Sequence, residues 1–324
     1  MADHRAAPYA IETEALTRVY GRDRHRAVDG LTLRIGHGEM FGLLGPNGAG
    51  KTSTVKMLMT VLLPTSGSAR VMGEDVVARA QSVRRRVGVI LGGDAGLYAR
   101  LSARDNLALF ADLYGIPHRV QRRRIPELLD TVGLAGKERK RVETFSRGMK
   151  QRLHIARGLL HDPDVVILDE PSNGIDPVGA RQLRDLVREQ VRTGRTVLLT
   201  THYMFEADEL CDRVAVLKDG VKIAEGTPES LKKQTEEQSV LSLRVVGLQD
   251  THTERLRRLA AVESLSVSEQ DGSHGLEVYC TRVSDHVDAI LAELHGLSIL
   301  QFSQREPTLE DAYISLVGRR EGPR

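Results

Sequence analysis

Gly45-Pro46-Asn47-Gly48-Ala49-Gly50-Lys51-Thr52 is the stretch on which the reading of this 324-residue chain turns. It fits the phosphate-loop pattern G-x-x-x-x-G-K-[ST], in which backbone N–H groups wrap the phosphates of a nucleotide. Gly45, Gly48 and Gly50 let the backbone approach a phosphate with no Cβ in the way. Lys51 offers a positive charge to the β- and γ-phosphates, and the Thr52 hydroxyl can ligate Mg²⁺. Residues 40–44 read as a short buried strand and residues 52–60 as a helix. The loop therefore lies at a strand-to-helix junction, where the helix N-terminus adds free N–H groups and partial positive charge. Nucleotide binding explains the stretch better than a chance glycine-rich turn.

Downstream, Val165-Val166-Ile167-Leu168-Asp169-Glu170 places two adjacent carboxylates at the end of an apolar run. Four apolar β-formers read as a central parallel strand. Ionised carboxylates at the end of such a strand are costly unless a cation or a reaction uses them. In doubly wound sheets, ligands collect at the carboxyl ends of the strands. An N-cap before Pro171 would account for one of the two acids but not both. Residues 195–200 read as the neighbouring strand, and His202 leaves its C-terminal edge, so a site role is expected for that histidine. His154 and His161 are assigned to surface or core.

Around these two motifs the chain orders itself. Residues 11–20 and 28–35 read as strands, and Tyr20 closes the first of them. Its ring is either half-buried edge packing or a face on which an adenine stacks. Ser102 with Asp105 makes a capping-box-like helix start. Leu107, Phe110, Ala111 and Tyr114 follow at helical spacing, with Phe110 and Tyr114 expected in the core. Two basic clusters lie within residues 119–124 and 137–141. They are either solvated faces or a surface for anionic lipid headgroups. Ser146-Arg147-Gly148-Met149 opens another helix, a good N-cap and a second potential anion site. The Asp219-Gly220 turn joins a hairpin over 214–224 that closes this part of the chain.

Composition narrows the class. A net charge of +2, with 28% charged and 40% hydrophobic residues, is ordinary for a globular protein and gives no argument for nucleic acid. Cys211 and Cys280 form no C-x-x-C, so neither a zinc site nor a disulfide framework is suggested. The longest apolar run, residues 57–63, falls far short of the about 20 residues that a membrane span needs. With Asp3, Glu12 and Glu14 and no apolar stretch, the first residues are unlike a signal peptide. If the protein works at a membrane, another polypeptide must supply the span.

In this order the elements resemble the ATP-binding subunit of an ABC transporter, over about residues 9–230. Gly45 to Ser53 match the Walker A motif. Residues 166–169 match Walker B, with Glu170 at the position of the general base. Ser146-Arg147-Gly148-Met149 matches the signature loop and Asn173-Gly174-Ile175-Asp176 the D-loop, while His202 matches the switch histidine and Tyr20 the aromatic A-loop. The signature written Ser-Arg-Gly-Met-Lys-Gln-Arg, and the tail Glu306-Pro307-Thr308-Leu309-Glu310-Asp311, look like the daunorubicin-resistance-like exporter subfamily.

The resemblance implies an α/β fold, a P-loop ABC-type nucleotide-binding domain with antiparallel β and helical subdomains. Tyr20, Gly45, Pro46, Asn47, Gly48, Ala49, Gly50, Lys51, Thr52 and Ser53 would hold ATP, and Thr52 with Asp169 would hold Mg²⁺. Glu170 and His202 would be catalytic. Ser146 and Gly148 of a second copy would complete the site in an ATP-bound homodimer. The partner would be an integral-membrane permease, the location the cytoplasmic face of the membrane, and the cargo an exported drug or antibiotic, with sodium or a lipid as runner-up. A soluble ABC ATPase acting on ribosomes or DNA is disfavoured, because the chain has one ATPase unit and no sustained heptads.

The sequence also departs from the family pattern. Leu91-Gly92-Gly93-Asp94 lacks the glutamine expected after the strand read over residues 87–91, and Arg147 and Met149 replace a glycine and a glutamine of the common signature.

Residues 238–324 read as a separate accessory domain behind a polar linker at 232–239. Its order is β-α-β-β-α-β, that of a small α+β ferredoxin-like sandwich. A last helix with Thr308 as N-cap follows. Leu309, Tyr313 and Leu316 on that helix either cap the domain's own core or face a partner.

Overall fold

The computed structural model describes residues 7–21, 24–91, 96–233, 238–270, 272–281, 283–305 and 307–318. Gly92–Asp94, where the glutamine is missing, lie outside the described residues, as do Asp3, Arg22, Asp23, Gln234–Glu237, Asp271 and Glu306. The chain divides into two compact units, residues 1–227 and 228–324.

The first unit opens with β1 (Ile11–Tyr20), β2 (His25–Ile35) and β3 (Met40–Leu44), then α1 (Lys51–Leu58). There follow β4 (Ser66–Val71), β5 (Glu74–Asp75), α2 (Ala80–Arg86) and β6 (Val87–Leu91). Three helices come next, α3 (Ala103–Leu113), α4 (His118–Thr131) and α5 (Arg147–Gly158). The unit closes with β7 (Val165–Asp169), α6 (Pro177–Arg192), β8 (Thr196–Thr201), α7 (Met204–Leu210), β9 (Arg213–Lys218) and β10 (Val221–Gly226).

Two sheets organise it. One is antiparallel, in the order β2-β1-β4-β5; the other runs β10-β9-β3-β8-β7-β6, parallel except for the hairpin strand β10. Every residue of β3 and β8 is buried, which explains why neither strand alternates apolar and polar residues. Between the sheets, Met57 and Leu58 of α1 join Leu31, Leu33, Phe41, Ile167 and Leu198 in one continuous core. The parallel register sets Leu44 beside Thr201, and Asp169 beside Thr200 and Leu91. The ends of β3, β6, β7 and β8 therefore meet along one edge.

Helices α3, α4 and α5 pack on one another, and α5 also packs on β6. Here the expected core is corrected. Leu107 and Ala111 are buried, but Tyr114 is 46% exposed and Phe110 is half-buried. The buried stripe of α3 runs through Ala103, Asn106, Leu107 and Ala111, and Tyr114 lies just beyond the last helical turn. There its ring stacks on His161, while the Arg157 guanidinium covers Phe110. The Ser102 cap forms as expected for its hydroxyl, which accepts from the Asp105 N–H. The Asp105 carboxylate then accepts from that hydroxyl and not from a backbone N–H. Of the first basic cluster, Arg124 is engaged: it donates to the carbonyls of Leu159 and Leu160 and pairs with Asp162. Among the described residues, no helix is long and apolar enough to cross a membrane.

The second unit comprises α8 (Pro228–Lys233), β11 (Gln238–Val246), α9 (Asp250–Arg258), β12 (Val262–Gln270), β13 (Ser273–Thr281), α10 (Val283–Glu293), β14 (Ser298–Arg305) and α11 (Leu309–Gly318). The strands form an antiparallel sheet in the order β12-β13-β11-β14, the ferredoxin-like arrangement of a β-α-β-β-α-β chain. Leu241, Leu243, Leu276 and Val278 pack with Leu256 and Ile290 of the helices. The sequence reading put residues 228–230 in the first domain. In the structure α8 falls in the second unit and packs on α11.

A polar network ties α11 to the sheet. Asp311, 5% exposed, accepts from Thr308, from the Tyr279 hydroxyl at 3.0 Å and from Arg305, which also donates to Glu277. Thr308 returns the cap by accepting from the Asp311 N–H. Burial opposes ionisation of Asp311, but Arg305, Thr308 and Tyr279 outweigh it and hold its carboxyl down at about 2, against an ordinary 3.8. A carboxyl depressed in the folded state contributes stability that is complete above its ordinary value and lost as pH falls toward its folded one. Asp311→Ala is therefore expected to cost about 2–3 kcal/mol at pH 7, because a buried pair loses one partner and leaves the other groups unpaired. In denaturant titrations of the full chain the gap to the parent should shrink at pH 3; an equal gap at both pH values would contradict this account of the network.

Candidate functional site

The phosphate loop joins the end of β3 to the start of α1. Two glycines there are required. Gly45 sits at φ +155, where a Cβ would lie 2.4 Å from the Leu217 carbonyl oxygen; Gly50 sits at φ +103, where one would lie 2.3 Å from that of Ala27. Each approaches a neighbouring strand too closely for any side chain. The loop is thus moulded by β2 and β9, far away in sequence.

Lys51 is 4% exposed. Its Nζ donates to the carbonyls of Gly45 at 2.6 Å and Pro46 at 3.1 Å, and lies 3.7 Å from Glu170 Oε1. Burial lowers its pKa from the usual lysine value, while the charges of Glu170 and Asp169 work against that shift. A buried ammonium whose only described anionic neighbour within ion-pair distance is one part-exposed carboxylate is poised for a stronger anion.

The two carboxylates differ in their settings. Asp169 ends β7 and accepts from the Thr200 hydroxyl of β8. Glu170 stands one residue beyond, with its backbone in the left-handed region at φ +50. That conformation costs a non-glycine residue about 1–2 kcal/mol, and its N–H is fixed by the Thr200 carbonyl at 3.0 Å. The turn aims the Glu170 carboxylate between Lys51 and His202, whose Nδ1 lies 3.4 Å from Oε2. The His202 ring also rests against Tyr203, 4.1 Å between centroids.

Tyr20 donates to or accepts from Ser53 Oγ at 3.3 Å, and its ring is 36% exposed. The Arg18 guanidinium covers one face of the ring, 4.7 Å from its centroid. Tyr20, Pro46–Ser53 and Glu170 line one cavity of about 250 Å³. It shares Asn47, Thr52 and Glu170 with a larger one of about 740 Å³ that reaches Asp169, Arg147, Gln151 and Asn173. Ser146 caps α5 by accepting from the Met149 N–H, and neither it nor Gly148 lines either cavity. The structure thus gathers Tyr20, Gly45–Ser53, Asp169, Glu170 and His202, and leaves Ser146 and Gly148 apart from them. Sequence reasoning missed Thr200, Gln151 and His25, the last of which lines the smaller cavity. Gln151 stands inside the signature stretch but was given no role there, and no local pattern marks Thr200 or His25.

The family model described as "ABC transporter" matches residues 28–173. The chain is also 40% identical over 313 residues to the daunorubicin/doxorubicin resistance ATP-binding protein DrrA of Streptomyces peucetius, covering 95% of this chain and 92% of that one. This chain belongs to the ABC transporter ATP-binding proteins.

A second family model, "ATP-binding protein DrrA1-3-like, C-terminal domain", matches residues 226–317. The linearmycin resistance ATP-binding protein LnrL of Bacillus subtilis strain 168 is 33% identical, covering 95% of this chain and 98% of its own. A Nod factor export ATP-binding protein I of Burkholderia pseudomallei strain 1710b is 38% identical, covering 92% and 94%. Among solved structures, an ATP-binding subunit of an ABC transporter superposes with a TM-score of 0.62 at 31% identity, over 69% of this chain and 92% of that one. As a member of this ABC family the chain is an ATP-binding ATPase.

Proposed function

We propose that this protein is the energy-supplying subunit of an exporter of drug- or antibiotic-like compounds, working through a separate integral-membrane permease. The observation that carries the ATPase part of the reading is the Lys51–Glu170–His202 line at the edge of the phosphate loop. Tyr20 offers an aromatic face to the adenine, and the N–H groups of residues 45–53 wrap the phosphates. Lys51 exchanges its loop carbonyls for the β- and γ-phosphates. Glu170 accepts the proton of the attacking water, and His202 contacts the γ-phosphate and braces Glu170.

Thr52 and Asp169 suit Mg²⁺: both are hard oxygen donors lining one cavity, and this ion keeps several waters and uses one or two protein ligands beside phosphate oxygens. No cluster of three or more His, Cys, Asp or Glu that would favour another metal occurs among the described residues. Bound there, the ion would neutralise charge on the phosphates.

Ser146 and Gly148, set apart from their own chain's loop, are assigned to the nucleotide of a second copy in a head-to-tail homodimer. ATP would close that dimer, and hydrolysis would reopen it. The protein would then sit at the cytoplasmic face of the membrane, held by the permease, with no role for nucleic acid. Export of a drug-like compound is favoured by the resistance and export functions named for its relatives; sodium or a lipid is the second reading. The test is to express the chain with a permease of about six spans in drug-sensitive cells. Efflux of an anthracycline that stops with Glu170→Gln is the expected result. Efflux of sodium but of no drug tested would overturn the cargo while leaving the ATPase intact.

A further inference from the structure

The larger cavity beside the phosphate loop carries a buried polar side chain to which nothing above gives a role. Gln151 lies on α5, one turn past the Ser146 cap, and is 3% exposed. Its Nε2 is fully buried and has no hydrogen-bond partner among the described residues. A buried amide left so costs about 1–3 kcal/mol, and native proteins fill such places with ordered water where the space is polar and roomy. Gln151 lines the 740 Å³ cavity together with Thr52, Asp169, Glu170 and Asn173. The space holds many waters, and the two acids are acceptor-only when ionised.

Gln151 from α5 and the carboxylates at the end of β7 line the same cavity from different elements, and an amide donor together with carboxylate acceptors orients a water in one sense. A water reached by a turn of the Gln151 amide would accept from Nε2 and donate to a carboxylate, which leaves a lone pair free. From this arrangement we propose that Gln151 is a positioning residue for hydrolysis, holding from α5 the water network that Glu170 draws on. The inference rests on the assignment of Glu170 as base. It adds no chemical step: the water oxygen still bonds to the γ-phosphorus, the bond to the β-phosphate oxygen breaks, and the proton goes to Glu170. It also makes hydrolysis depend on where α5 sits, since the donor and the acceptors belong to different elements.

The test is Gln151→Leu in the full-length chain, which keeps the volume and removes the donor. Steady-state hydrolysis with Mg²⁺ should show kcat lowered about tenfold with KM for ATP within about twofold of the parent, the pattern for an interaction made mainly in the transition state. The melting temperature should be equal or higher, because replacing an unpaired buried amide with an apolar group is nearly neutral or stabilising.

Gln151→Glu supplies a second readout that a packing role would not move. Only its protonated form donates, and its ionised form repels Glu170. Its activity relative to the parent should therefore rise several-fold from pH 8 to pH 6. A kcat within twofold of the parent for Gln151→Leu, or a relative pH profile for Gln151→Glu that is flat, would overturn the proposal. So would loss of rate that merely follows loss of folded protein. If instead Glu170→Gln hydrolyses ATP normally, the assignment of the base fails first, and the two failures are told apart.

Discussion

Glu170→Gln is expected to lower ATP hydrolysis by at least about a hundredfold, the scale of losing a general base, with ATP affinity close to that of the parent. The carboxylate is held by a left-handed backbone and by contacts to Lys51 and His202. The amide keeps the shape of the side chain and removes only its ability to take a proton. One side effect has a known sign. In the free protein Glu170 helps Lys51 stay charged against its burial, so the variant's Lys51 is more readily deprotonated. Bound ATP supplies more negative charge than Glu170 did, and affinity is therefore preserved. With hydrolysis blocked, the ATP-bound dimer should accumulate and be visible by size-exclusion chromatography. Near-parental turnover would remove Glu170 from the role of base.

Lys51→Ala acts at an earlier step. The ammonium faces the β- and γ-phosphates in ground and transition states alike, so its loss weakens binding itself. A charged hydrogen bond of about 1.5–3 kcal/mol corresponds to roughly ten- to hundredfold weaker ATP binding by calorimetry. The variant also leaves the Gly45 and Pro46 carbonyls without their donor, which loosens the loop. A pH dependence follows from the lowered pKa of Lys51 in the free protein. ATP binds the charged form, so the parent's affinity should decline with rising pH earlier than an ordinary lysine would dictate. The alanine variant should not share that decline. Unchanged affinity in Lys51→Ala would count against the phosphate-loop assignment.

Both predictions concern residues legible in the sequence, yet what makes them act is not. Gly45–Thr52 and Val165–Glu170 each announce their chemistry because the groups are contiguous: a loop is built from neighbours, and a strand end carries its own two acids. The order of strands, the Asp219-Gly220 hairpin and the β-α-β-β-α-β tail were readable for the same reason, since periodicity and turn chemistry are local properties. Tyr114 shows the limit. Its helical spacing was right, but which face of α3 meets a neighbour, and where the last turn ends, depend on α4 and α5.

What only the tertiary structure decided are the relations across the sheet edge. Thr200 reaches Asp169 because β7 and β8 pair in parallel register. Gly50 needs its glycine because of the Ala27 carbonyl, and Glu170 lies between a lysine 119 positions before it and a histidine 32 positions after it. Gln151, with its buried and unpaired amide nitrogen, lines the same cavity as two acids from another element. By itself the sequence determined which chemical groups the site can draw on and in what order the elements come. Distances, burial and charge states belong to the folded chain, because they arise from contacts between segments that no local pattern links.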